Sequence, residues 1–385
     1  GKFNLGTAYG GTLGEELGED MAIHYINEVD EILNEYCTSG IPRVYLSNEA
    51  LKLKCIQNNL RLLDMNVKHL GTDNNFITMQ NLINRIADDG TDMLPFYDCE
   101  KITENGEGGY ILHYANGEDI VADKIIIATG RGGANFVADF CRSFGVHMRS
   151  NYVDIGVRVE MKDIIWREFS DQIYEPKILY KTKTFEDRCR MFCFNKGGLV
   201  SAENNHGIIT ANGHSYAEPE KKTENCNFAI LSSIRFTEPF NQPTEYVESI
   251  SRLANMIGRG NVLVQRFGDL VRGRRTNDHR LGQNTVIPTL RATAGDISLV
   301  LPHRILTNIT ETIYALDKVA PGTANDDTLL YGCESKYYSI RPEFKNEKFE
   351  LIDGVYIIGD GSGICRGLSQ SGAMGIYVAD KIAEE

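Results

Sequence analysis

The stretch GVYIIGDGSGICRGLSQSGAMGIYVAD, residues 354–380, carries an apolar strand, a Gly-Asp-Gly turn and then a helical run. Strand, glycine turn and helix in that order build a pocket for a phosphorylated ligand: a helix start aims amides and partial positive charge at whatever lies beyond the strand. Asp360, at the end of the strand, is placed to accept hydrogen bonds from sugar or ribityl hydroxyls. The same residues also suit a plain glycine-rich connection with Asp360 as a helix cap. A second stretch, KIIIATGRGG (residues 124–133), repeats the arrangement. Its isoleucines predict a buried parallel strand, and ligands in open α/β sheets bind beyond the carboxyl ends of such strands. Gly130 stands where a larger side chain would block a ligand's approach to the backbone.

Outward from these two strand ends the chain changes period several times. Helices are expected over about 15–34, 48–65 and 77–90, the last stopping at Gly90. Short strands separated by NGEGG and NGED turns lead into KIIIATG. YVDIGVRVEM, KILYKTKTF, RMFCFNKGGLVSA, HGIITANGHSY and NFAILSSIRF then read as mostly alternating strands. Helices follow at about 244–258, 303–319 and 368–383, with Ala373, Ile376, Ala379 and Ile382 on one stripe of the last. The expected fold class is α/β: a Rossmann-like nucleotide-binding domain carrying a large inserted mixed β/α domain. The expected division is 1–150 for the first part of the nucleotide-binding domain, 151–335 for an inserted β-rich substrate domain with helices, and 336–385 for the return.

Composition narrows the function. The chain has 385 residues, 42% hydrophobic and 24% charged, an ordinary globular balance. Its net charge of −13 argues against a general nucleic-acid binder. No apolar run reaches bilayer-spanning length, so no membrane partner is expected. Nine scattered cysteines without a Cys-x-x-Cys pair fit a reducing cytoplasm, and no metal site is expected. Arg272, Arg274 and Arg275 in VRGRRT form either a solvated basic loop or an anion clamp.

The order IIIATGR, long insert, then GVYIIGDGSG…SQSGAMG resembles glutathione-reductase-type FAD proteins. Closer still is the resemblance to FAD-dependent dehydrogenases with a C-terminal FAD-dependent domain. It extends through GKFNLG, KHLGTDN, ATGRGGANF, NYVDIGVRVE, VSAENNHGIITANGHSYAE, VQRFGDLVRGRRT and LLYGCESKYYSI, over nearly the whole chain. The resemblance implies that the nucleotide-binding domain is an incomplete FAD/NAD(P)-binding one, partial over 1–150 and resumed over 336–385, and it places Gly130, Gly359, Asp360 and Gly361 at FAD, with Gly372 at the flavin-side helix. It implies an oxidoreductase passing hydride or electrons between a small organic substrate and flavin, with NAD(P)H as a candidate donor. An NAD(P)-only dehydrogenase fits the late Gly-Asp turn less well.

Such proteins open with a strand, Gly-x-Gly-x-x-Gly and a helix. GGTLGEELG is glycine-rich, but no apolar strand is expected before it, and GRGGAN has the wrong spacing. The chain is therefore expected to be the C-terminal portion of a longer flavoprotein, partnered by an N-terminal segment of the same protein, and to bind FAD weakly alone. The alternative is a truncated, non-catalytic relative that acts as a binding protein. Catalytic candidates are few. Cys193 stands in FCFNKGG, where the family tends to have a second cysteine and a proline; it reads as a redox remnant or a strand cysteine. His206 and His214 flank GIITANG, whose Asn212-Gly213 pair is a hairpin signal; His214 is a candidate proton donor. Arg274 and Glu334 are candidates for the substrate side.

Overall fold

Alternating strands separated by glycine and asparagine turns make one large sheet in the computed structural model, which describes every residue except 1, 9, 39, 65, 131, 150, 206, 217, 238, 241 and 338–340. The chain is a mixed α/β protein of two compact units. Gly1–Val44, Met65–Asn151 and Tyr338–Glu385 form the first, and Tyr45–Asp64 with Tyr152–Tyr337 form the second. No helix among the described residues is long and apolar enough to cross a membrane.

In the second unit eight strands pair in the order Thr293–Ala294, Leu263–Arg266, Leu329–Tyr337, Val153–Lys162, Asn225–Ile234, Arg188–Asn195, Ile178–Lys181, Leu60–Leu62. Only the first pair is parallel. The Val153–Lys162 strand is buried on both faces, and its two-residue period sorts them sharply. Val153, Ile155, Val157, Val159 and Met161 enter the main apolar core with Trp166, Phe228, Ile305 and Ile309. Asp154, Arg158 and Glu160 alternate with them and are equally buried.

Residues 45–64 belong to this unit, although the sequence pattern grouped them with the first. The helix expected over 48–65 runs only from Glu49 to Ile56. Asn59 takes a left-handed φ of 57° and turns the chain. Leu60–Leu62 then continues as an edge strand against Ile178–Tyr180. Leu60 and Leu62 are buried with Arg61 exposed between them, a period of two that ends the helical one.

The first unit is built around two parallel strands, Ile125–Ile127 and Val355–Ile357, with Glu350–Ile352 antiparallel on one edge. Cys99–Glu104, Tyr110–Tyr114 and Asp119–Ala122 form an antiparallel meander. Ile126 is 45% exposed, so the IIIATG strand is covered on one face only, not on both as its apolar run implied. The helix expected over 15–34 is two, Leu13–Leu17 and Glu19–Tyr36, divided at Gly18 with φ 84°. The last helix runs from Leu368 to Ala383, as its pattern predicts. Its buried face differs from the expected stripe. Ala373, Met374, Tyr377 and Val378 pack with Ala22, Ile26 and Val29, while Ala379 is exposed.

Candidate functional site

Because Ile125–Ile127 and Val355–Ile357 run parallel and in register, the turns that follow them emerge side by side. The Ile358 amide donates to the Ile127 carbonyl at 3.0 Å, holding the strands together to their ends. Gly130 has φ 61° and Gly359 φ 70°, left-handed values that favour glycine. A Cβ on Gly361 would lie 3.3 Å from the Gly130 carbonyl oxygen and 3.5 Å from its nitrogen, so the two turns touch. A Cβ on Gly130 would meet nothing within 4 Å, which leaves the space beyond that turn open. Asp360 lies inside the Gly359–Ser362 turn, whereas Gly367 caps the last helix. The helix-cap reading of Asp360 therefore does not hold.

Gly372 is placed elsewhere. A Cβ on it would lie 3.0 Å from Val29 Cγ2, so this glycine lets the last helix pack closely on Glu19–Tyr36. Two further glycines, Gly10 and Gly11 of GGTLGEELG, lie against the segment that leads into the last helix. Gly11 forms an antiparallel bridge with Cys365, and the Gly10 carbonyl accepts the amides of Arg366 at 2.7 Å and Gly367 at 3.0 Å. Gly10 thus occupies amides just before the helix that the sequence alone left free for a ligand. The short strand Lys2–Asn4 does precede these glycines, but it pairs antiparallel with Val67–His69, the wrong sense for a dinucleotide fingerprint. The Gly10-Gly11 doublet was the available signal; what it lacked was any indication of its partner. Burial first, then the Asp360 charge, pushes the Cys365 thiol far up, so it stays protonated and inert.

The second unit carries a different constellation on the polar face of its sheet. Arg158 and Glu334 are fully buried and paired in two parallel bonds, Nε to Oε2 and Nη2 to Oε1, each 2.7 Å. The remaining donors reach the Cys193 carbonyl at 2.9 Å and the side-chain oxygens of Asn227 and Asn212, both at 3.3 Å. All five guanidinium N–H groups are thereby engaged. Nearby, Glu160 accepts from Tyr331 Oη at 2.5 Å, Thr289 Oγ1 at 2.5 Å and Asn225 Nδ2 at 3.0 Å.

This network explains several sequence features and reassigns them. Asn212-Gly213 is not a turn: the hairpin pairs Leu199–Asn205 with Ile208–His214, and Gly213 lies within the second strand. Glycine is needed there because a Cβ would overlap Asn227 Oδ1, Asn195 Nδ2 and Arg158 Nη1. His206 falls outside the described residues. His214 sits across from Leu199, with its ring edge-on to Tyr216 at 4.6 Å. Cys193 occupies a bulge with φ 55°, half-buried, and contributes its carbonyl to Arg158. Glu334, a candidate for the substrate side, is a structural partner with no exposed surface. Arg274 is held by Asp269 Oδ1 at 2.6 Å and Arg272 by Asp326 at 2.7 Å. Only Arg275 of the basic triplet makes no ion pair among the described residues.

With this geometry in view, comparison with known proteins gives one family match, over about half of the chain's length at most. Residues 153–337 match the family model described as FAD-dependent protein, C-terminal domain-like. The matched segment is the main part of the second unit, and it supports FAD as the cofactor. An uncharacterized protein of Clostridium beijerinckii is 27% identical over 340 residues, covering 82% of this chain and 62% of its own length. The chain thus spans about 62% of the curated relative it matches. Among solved structures, L-proline dehydrogenase from P. horikoshii aligns at 12% identity and a TM-score of 0.42, over 96% of this chain and 81% of that one. The 2,6-dihydroxypyridine-3-hydroxylase of Arthrobacter nicotinovorans aligns at 12% identity and a TM-score of 0.35, over 94% and 81%.

Proposed function

We propose that this chain is part of an FAD-dependent oxidoreductase and holds the ribityl and flavin side of the cofactor at the paired turns of its first unit. The observation that carries the reading is the contact between Gly130 and Gly361 at the carboxyl ends of two parallel strands, with Asp360 between two glycines. Bound there, FAD would supply hydride and electron transfer to or from a small organic substrate, with NAD(P)H as a candidate donor. The chain's own part is positioning. Gly130 keeps the approach to the backbone open, Gly359 and Gly361 let the second turn close against the first, and the Asp360 carboxylate accepts from ribityl hydroxyls.

No Gly-x-Gly-x-x-Gly occurs in the sequence. The adenosine-diphosphate side is therefore assigned to a further segment of the same polypeptide, a reading supported by the greater length of the Clostridium relative. The second unit, with its β-rich sheet, is assigned to the substrate. There Cys193 and His214 remain candidates for contact with substrate, whereas Arg274 is committed to Asp269.

The test is the visible absorption spectrum of the polypeptide purified from its natural source. Oxidised-flavin bands that bleach with dithionite are expected. A colourless protein would overturn the reading and favour a non-catalytic binding protein.

A further inference from the structure

The second unit contains a cleft that nothing above uses. It has a volume of about 600 Å³ and is lined by Arg259, Arg275 and Arg291, with Asp278 as its one acid. Each arginine arrives from a different element. Arg259 follows the helix Pro243–Ile257 in a left-handed conformation, φ 52°, between Gly258 and Gly260. This is the left-handed position of the helix's C-terminal turn, closed by the Gly260 amide on the Asn255 carbonyl at 2.8 Å, and it fixes where the Arg259 side chain leaves the backbone. Arg275 lies in the loop after Phe267–Val271; its carbonyl accepts from Arg280 Nη1 at 2.8 Å, and the neighbouring Thr276 amide donates to Gly295 at 3.1 Å. Arg291 enters just before Thr293–Ala294, the strand that pairs with Leu263–Val264.

Among the described residues none of the three makes an ion pair. Arg275 Nη2 reaches only the Ala294 carbonyl, at 3.4 Å. In a protein of net charge −13, whose other arginines here, Arg266, Arg272 and Arg274, are each matched to an aspartate, that is a local exception. Three guanidinium groups and one carboxylate leave the cleft two positive charges in excess. An adjoining hollow of about 490 Å³ shares Arg259 and Arg275 and is lined by the apolar Ile257, Leu263 and Leu299 and by Asp296, whose carboxylate accepts from Ser298 and Gln265. Charge at one end and apolar surface at the other fix the kind of molecule that fits both.

We propose that this cleft binds an organic phosphate, its dianionic group on the guanidinium forks and its apolar or aromatic body against Leu263 and Leu299. Guanidinium forks match phosphate oxygens two at a time, and the excess of two charges in the first cleft, one when Asp296 of the adjoining hollow is counted, suits a phosphate monoester near neutral pH. The site does not depend on the flavin reading, and its test needs no flavin.

Phenyl phosphate is the probe, titrated calorimetrically into the full chain at low salt, with inorganic phosphate and benzoate as comparison arms. The expected result is saturable one-to-one binding of phenyl phosphate, tighter than either comparison ligand and weakened by added salt. Arg275→Gln and Arg291→Gln should each raise Kd about tenfold or more. Arg252→Gln, which removes an exposed arginine paired with Glu248 on its own helix, should leave Kd unchanged. Absence of saturable binding to the unaltered chain would overturn the proposal. So would equal affinity in the Arg275→Gln/Arg291→Gln double variant, provided its thermal unfolding matches that of the parent. Equal affinity for inorganic and phenyl phosphate would overturn the assignment of the apolar hollow.

Discussion

At Glu334 the energetics are set by burial. Its carboxylate and the Arg158 guanidinium have no exposed side-chain surface, so each depends on the other for compensation of its charge. Glu334→Ala would leave Arg158 buried without a counter-charge and should cost about 3–5 kcal/mol, read by urea unfolding. The double variant Arg158→Met/Glu334→Leu should recover much of that loss, because an apolar pair removes both desolvation costs. If the single and double variants are equally unstable, the pair is not the source of the effect. Asp269 offers a second residue-scale test, through pH. Burial pushes its carboxyl up, but hydrogen bonds from Thr276 and Arg274 and the charges of Arg274 and Arg266 outweigh that and hold it below the usual range. A depressed folded-state value contributes stability above the unfolded value, near 4, that is lost as pH falls through the folded one. The stability advantage over Asp269→Asn should therefore be constant above about pH 5 and shrink below about pH 4. An advantage that grows on acidification would contradict the ion pair. Both residues show where sequence reading stops. Asp360 and Gly130 announce themselves by following apolar strands, but Glu334, Arg274 and Gly213 carry no local sign that their partners are Arg158, Asp269 and Asn227.

At the scale of elements, period and turn chemistry were legible and partners were not. The final helix ends where its pattern ends, and the strands Val153–Lys162 and Asn225–Ile234 form where the sequence expects strands, though buried on both faces. The failures have one physical origin, since a local pattern does not say which neighbour covers which face. The last helix buries Ala373 and Tyr377 against Ala22 and Val29, and Gly372 gives the close approach. Leu60–Leu62 became a strand because Ile178–Tyr180 offered an unpaired edge, a tertiary effect that overrides helix propensity. The helix pair yields a direct prediction. Gly372→Leu should destabilise the protein by about 1–3 kcal/mol through overpacking against Val29. Val29→Ala in the same chain should relieve part of that cost, measured as a double-mutant cycle. Additive losses would place Gly372 away from Val29.

Over the whole molecule, cofactor and family signals fall on different units. The turns assigned to flavin belong to the first unit, and the family match covers the second. The single tryptophan makes the two separable by experiment. Trp166 is fully buried in the core of the second unit, packed on Phe169, Phe194 and Phe228, so its emission reports on that unit's packing. Gly361→Val fills the contact with Gly130 and crowds the space assigned to the ribityl chain. In the natural polypeptide this substitution should lower flavin retention about tenfold or more, roughly the loss of one charge-assisted contact, while Trp166 emission stays that of the parent. Glu334→Ala should do the reverse first, shifting Trp166 emission as the second unit loosens. If Gly361→Val retains flavin at the parent level with its fold intact, the paired turns are not the flavin site, and the glycines at 130, 359 and 361 serve only to bring two strand ends together.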